Sequence, residues 1–174
     1  MLMDGKIIMN EIVWDSQKIR EFVSIYKIPP APGNYWYDSK SGLYGLTGQP
    51  ASGFLYAGHD FGIIALKASN GNTGVVFNGR ELPQQEWLLL CQIIANTIWP
   101  GHYWLDAQGN AGMEGNSIPL INLFMAIQNN FHQQKSNGGD NFWSTRFSAG
   151  NSTADGSAGY VSVPGYGPVG YGVG

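Results

Sequence analysis

The 174-residue chain has a single cysteine and few charges, which make up 12% of its residues with a formal net charge of −3. Cys91 has no second cysteine to pair with, so a core must hold by apolar burial alone, and neither an oxidising nor a reducing compartment is demanded. The nine Lys and Arg are scattered and form no stripe, which argues against a nucleic-acid partner held by phosphate neutralisation. Long hydrophobic runs are missing too: Gln92 and Asn96 interrupt the most apolar stretch, so no membrane span is expected. Residues Met1 to Lys6 lack the apolar core of a Sec signal peptide. The expectation is a protein cytoplasmic by default or exported by another route. Absent as well are a P-loop, a G-x-G-x-x-G after a strand, C-x-x-C, H-E-x-x-H and G-x-S-x-G. Those gaps remove the enzyme classes that announce themselves locally, and no cofactor is expected.

What the chain has is aromatic residues, glycine and a duplication. Gly33-Asn34-Tyr35-Trp36-Tyr37-Asp38 returns as Gly101-His102-Tyr103-Trp104-Leu105-Asp106, each position 68 residues on. The glycines that follow, Gly42, Gly45 and Gly48, return 67 residues on as Gly109, Gly112 and Gly115. One residue has been lost or gained between Asp and Gly, where a turn absorbs a length change most easily. The pattern predicts two copies of one β-hairpin. Side chains alternate along a strand, so Tyr35 and Tyr37 share one face while Trp36 and Asp38 share the other. Asp38 and Asp106 are read as turn residues, since Asp bonds nearby turn backbone.

Helices are expected on either side. Asp15 or Ser16 can cap one in which Ile19, Phe22, Val23 and Tyr26 share a face, ending before Pro29-Pro30. Pro83 opens the next, with Leu82, Glu86, Trp87, Leu90, Ile94 and Ile98 on a broad stripe that ends at Trp99-Pro100-Gly101. The duplication then reads helix, Pro-Gly, aromatic hairpin, over about 16–48 and 83–115. Pro119 opens a third candidate helix, with Leu120, Leu123, Phe124, Ile127 and Phe131 in step. Short strands are expected at residues 6–14, 54–56, 63–66, 142–147 and 160–163, and Asn78-Gly79 between apolar segments marks a two-residue hairpin turn. The fold class that follows is α+β: duplicated short antiparallel hairpins packed on two to three helices over residues 1–147, with a Gly/Tyr-rich C-terminal segment over 148–174.

Chemistry is thinly represented. His102 stands near Asp106 and Glu114 in sequence, which keeps open a hydrolase using His102 with an acid; a metal site from His102, Asp106 and His132 has no ligand spacing to support it. Glu81, Glu86, Asp106 and Glu114 are read as turn residues or solvated helix charges. The candidate binding residues are aromatic: Tyr35, Trp36, Tyr37, Tyr103, Trp104, Trp143, Tyr160, Tyr166 and Tyr171. They serve either as core anchors or as platforms for a partner.

The segment Tyr103 to Met113 resembles the aromatic hairpins of choline-binding and glucan-binding cell-wall repeats, which implies a glycan or cell-wall ligand. More broadly, the G-x-Y-W-x-D motifs around V-V-F-N-G-R-E-L are similar to a group of uncharacterised bacterial proteins with Gly-rich tails, from which no activity carries over. The leading expectation is a non-catalytic interaction or structural module, contacting protein partners or copies of itself through the aromatic hairpins and the C-terminal segment. A bacterial glycan-binding module is the alternative.

Overall fold

The computed structural model describes residues 6–127, 159–162 and 168–171. The fold is α+β, built from two five-stranded mixed sheets and three helices. In the first half, β1 (Ile7–Met9) turns into β2 (Ile12–Val13), α1 (Ser16–Tyr26) crosses back, and β3 (Gly33–Tyr37), β4 (Leu43–Leu46) and β5 (Gly53–Phe54) follow as a meander. The second half repeats this as β6 (Val75–Phe77), β7 (Arg80–Glu81), α2 (Gln84–Ile94), β8 (Gly101–Leu105), β9 (Asn110–Met113) and β10 (Ile121–Asn122). Sheet orders are β2-β1-β3-β4-β5 and β7-β6-β8-β9-β10, so the halves share one topology. Each helix serves as a crossover between parallel strands, β1 with β3 and β6 with β8.

The repeat is therefore longer than the motif and helix suggest. It starts one hairpin earlier, where Asn10 and Asn78 occupy matching turns at φ 50° and 54°. Asparagine tolerates this left-handed region because its short amide bonds local backbone. In both halves that amide does more. Asn10 accepts from Tyr37 N at 2.9 Å and donates to Tyr37 O at 3.0 Å; Asn78 accepts from Leu105 N at 3.1 Å and donates to Leu105 O at 2.8 Å. Each asparagine thus continues the β-ladder past the end of a three-residue strand.

Asp15 caps α1 by accepting from Lys18 N, and both long helices end on a left-handed residue that is not glycine, Lys27 and Ala95. Helix α2 stops at Ile94, earlier than its apolar stripe suggests, and Ile98 instead accepts the Trp87 indole N–H through its carbonyl at 2.9 Å. The third helix does not begin at Pro119: Ile121 and Asn122 pair with β9, and Asn122 then caps α3 (Leu123–Ala126) by accepting from Met125 N. Residues 63–66 form no strand; Ile63 is exposed and the segment runs into a turn. The strand expected near 160–163 is β11 (Gly159–Ser162), paired antiparallel with β12 (Pro168–Tyr171). The strand expected at 142–147 lies outside the described residues.

The core runs through both halves, with an aromatic knot in the first. Trp14 meets Phe22 and Phe61 at ring-centre distances of 5.8 and 4.9 Å, and Phe22 meets Tyr26 at 4.4 Å. His59 stacks on Phe61 at 4.5 Å and its Nε2 lies 2.6 Å from the Tyr26 hydroxyl. Burial, with the Lys18 ammonium nearby, holds His59 below the ordinary imidazole range.

Candidate functional site

The two hairpins share one strand register and have different surroundings. Tyr35, Trp36 and Tyr37 are core residues, Trp36 only 1% exposed. Burying aromatic surface of this size contributes roughly 4–6 kcal/mol before opposing terms, from about 150–250 Å² at about 25 cal/mol/Å². The Trp36 indole donates to Gln49 O at 3.1 Å, and Gly45 brings the strand so close that a Cβ there would lie 2.8 Å from the ring. On its face sits the Arg80 guanidinium, 4.1 Å from the ring centre. Arg80 comes from the second half, donates two 2.8 Å bonds to Glu86, and adds a 2.9 Å bond to Ser69. Arg80 and Glu86 are 2% and 1% exposed, so Glu86 is a buried ion-pair partner and not a solvated helix charge. Glu81 is buried as well: it accepts from Lys67 Nζ at 2.5 Å and Gly74 N at 2.8 Å, which holds its carboxyl below the usual range. The matching positions in the first half are Ile12 and Lys18 for Arg80 and Glu86. The pair is private to the second half because its job is to cap the first half's tryptophan.

Asp38 is buried at the same junction and accepts from Lys40 N, Ser41 Oγ and Asn78 Nδ2 at 3.0, 2.7 and 2.7 Å. Burial raises its carboxyl above the usual range against those bonds. Asp106 holds its own turn, accepting from Gln108 N and Asn110 N at 3.0 and 2.9 Å. The first turn closes by Gly42 N to Asp38 O and the second, one residue shorter, by Gly109 N to Asp106 O. That is the residue missing between the copies.

In the second half the equivalents of Tyr35 and Trp36, Tyr103 and Trp104, are only half-buried, while Leu105 in the place of Tyr37 stays buried. Tyr103 donates its hydroxyl to Trp99 O at 2.6 Å, as Tyr35 does to Ala31 O at 2.8 Å. Trp104 donates to Asn116 O at 2.7 Å, and its open face has the Lys40 ammonium at 5.6 Å in place of a buried guanidinium. Beside Tyr103 a cavity of about 310 Å³ opens between α2 and the second sheet. Its walls include Leu90, Ile94, Tyr103, Ala111, Ile121 and Leu123, and its mouth carries Trp99 and Leu120, 71% and 68% exposed. Neither Ala111 nor this mouth stands out in the sequence. The signal that could have found them is the 67-residue offset, which aligns Ala111 with Tyr44.

Of the other residues singled out, Trp143 and Tyr166 lie outside the described residues, and Tyr160 and Tyr171 stand on β11 and β12. His102 is exposed on β8, and among the described residues no hydrogen bond or ion pair joins its ring to an acid. His132 is outside the described residues; among those described, no group of three or more His, Cys, Asp or Glu is placed to hold a metal ion. No described helix is long and apolar enough to cross a membrane.

Fold and site together define an α+β internal duplication whose aromatic hairpin is sealed in one half and half-buried beside an open cavity in the other. No family model matches the chain, and no solved structure matches it. Similar curated proteins are two from Arabidopsis thaliana: extra-large guanine nucleotide-binding protein 2, 33% identical over 94 residues, and extra-large guanine nucleotide-binding protein 1, 40% identical over 88 residues. The matches cover 53% and 48% of this chain but only 11% and 10% of those proteins, so the chain spans about a tenth of the length of the curated relatives it matches. The resemblance to a bacterial group is thereby corrected, since these relatives are plant proteins. The likeness to cell-wall repeats is corrected with it: each hairpin is the middle of a five-stranded sheet, with Trp36 sealed inside. Glycine spacing around Tyr-Trp serves the close approach of strand to ring at Gly45 and Gly112, a demand of packing that any lineage can meet.

Proposed function

We propose that this chain is a non-catalytic interaction module that contacts protein partners through the second repeat, the first repeat acting as its scaffold. The observation that carries this reading is the asymmetry of the copies: Tyr35 and Trp36 are buried, whereas Tyr103 and Trp104 are half-buried, and Trp99, Met113, Ile118 and Leu120 around them are exposed. Trp99 and Leu120 at the cavity mouth beside Tyr103 give that face of the sheet the large apolar and aromatic side chains of a protein contact surface, while Trp104 stands on the opposite face. The relatives are named for guanine nucleotide binding, but the shared segment is about a tenth of each and this chain has no glycine-rich phosphate loop, which supports a contact role for it.

The test is photo-crosslinking in cells that express the full chain, with p-benzoylphenylalanine placed at Leu120 or at Ser52, its exposed counterpart in the first repeat. Protein adducts from position 120 and few from position 52 are expected. No adduct at 120, or equal yields from both, would refute the assignment. A second reading, a glycan ligand, has one observation in its favour: an opening of about 400 Å³ beside the Trp104 ring, edged by Lys40, Asp106 and Asn116. Titration with soluble glucans, with Trp104→Ala as control, separates it.

A further inference from the structure

The duplication supplies an internal reference for the cavity, because the same place in the first repeat is full. There the position of Ala111 is held by Tyr44, a buried ring set edge-on to Tyr35 at 6.2 Å and 86°. Room for it is made by Gly53, where a Cβ would lie 2.4 Å from the tyrosine ring. The backbone registers confirm the match: Tyr44 pairs with Gly53, and Ala111 pairs with Ile121. On the helix side, Phe22 and Tyr26 of the first repeat correspond to Leu90 and Ile94 of the second. Three aromatic side chains have thus become Leu, Ile and Ala, while the tyrosine that Tyr44 packs against is retained as Tyr103. Ile121 refills part of the space, and about 310 Å³ stays open. A dry cavity of about 150 Å³ is enough to take benzene, so this one has room for a substituted ring.

We propose that the cavity receives an aromatic side chain, tyrosine or phenylalanine, from a partner polypeptide, seated against Tyr103 as Tyr44 is seated against Tyr35. The proposal rests on the contact-module reading and names what that contact is built around. A free small aromatic is the less suitable occupant because the mouth is not a narrow neck: Trp99 and Leu120 extend its apolar lining outward over the surface, which suits a ring carried on a chain that covers them as well. Polar groups stand at the rim, where Asn96 and Thr97 are exposed and line the opening, within the region a phenol hydroxyl or a peptide backbone would enter.

The experiment titrates the full chain, carbon-labelled at methyl groups, with three probes: p-cresol, a blocked Gly-Tyr-Gly peptide and a blocked Gly-Ala-Gly peptide. Saturable shifts of the Ala111 and Ile121 methyls are expected with p-cresol and with the tyrosine peptide, and none with the alanine peptide. The double variant Ala111→Tyr with Ile121→Gly writes the first repeat's own pair into the second and fills the cavity from within. It should weaken both aromatic probes at least about tenfold, while its melting stays cooperative; should it fail to fold, Ala111→Leu, which occupies the same space with a flexible chain, serves in its place. Absence of methyl shifts with p-cresol, undiminished binding in the filled variant, or p-cresol binding without tyrosine-peptide binding each overturns the proposal. Crosslinking at Leu120 with no probe binding here would leave the contact module standing and remove only its aromatic anchor.

Discussion

Replacing Glu86 by alanine tests whether the buried ion pair of the second half braces the guanidinium against Trp36 of the first. The substitution removes both 2.8 Å bonds to Arg80 and the acceptor for Ala51 N at 3.3 Å, leaving a guanidinium 2% exposed without its bonded carboxylate, beside Ser69, the Trp36 face and the more distant charge of Asp38. An uncompensated buried charge of this kind costs about 3–5 kcal/mol. A loss of about 1 kcal/mol lowers the melting midpoint of a domain this size by roughly 2–4 °C, so the expected drop is roughly 6–20 °C. Arg80→Met should be damaging as well, since it strands the carboxylate. The double variant Arg80→Met with Glu86→Leu should recover stability over Glu86→Ala, because a matched apolar pair carries no desolvation penalty. Guanidinium denaturation followed by tryptophan fluorescence reports this directly, as Trp36 lies under the guanidinium. A loss below about 1 kcal/mol for Glu86→Ala, the range of a solvent-exposed pair, would refute the brace.

Asn78→Ala should cost about 3 kcal/mol, from its lost bonds to Leu105 and Asp38 and from a left-handed φ of 54° that alanine resists; Asn78→Gly, which keeps the backbone, should cost less, and denaturant midpoints rank the two. Gly45→Ala should cost about 1–3 kcal/mol by forcing a Cβ against Pro50 O and the sealed Trp36 ring, whereas Gly112→Ala should cost less because Trp104 is half-exposed and can swing outward; equal losses would contradict the asymmetry of the repeats. His59 predicts a pH dependence. Its folded value is depressed by burial, so the unfolded chain takes up the proton first as pH falls, and stability is fully present above about pH 6.5 and declines as pH drops through the folded value. Asp38, raised by burial, works in the opposite sense at lower pH, where the folded state binds its proton first. His59→Gln should flatten the slope between about pH 7 and 5 in urea titrations, and an unchanged slope would remove His59 as its source.

The aromatic hairpins, the Asn-Gly turn and the two long helices were legible because each rests on local chemistry: alternation, left-handed tolerance and apolar spacing. The full length of the repeat was not. Its first hairpin reads Ile12-Val13 in one copy and Arg80-Glu81 in the other, and its turn has Glu11 at φ 69° where the second has glycine. Side-chain identity differs there: β7 carries the guanidinium that reaches across to Trp36, a tertiary contact that no window of sequence displays. Residues 63–66 have a strand's composition but pair with no strand, and Ile63 points to solvent. The cavity was hidden for a different reason. It is made by a ring that is missing at Ala111, and a missing group is visible only beside a copy that has it.

The non-identical filling of two like frames bears on how such a molecule can change over generations. In the sealed half, each ring is wedged by several others, so an alteration at Tyr44 or Phe22 disturbs Tyr35, Tyr26 and Trp14 at once. In the open half, one wall borders empty space, and a methyl exchanged for a larger group there has fewer neighbours that must yield, chiefly Ile121. The lining of the cavity can therefore change residue by residue at Ala111, Leu120 or Ile121 without disturbing the aromatic core of the first half.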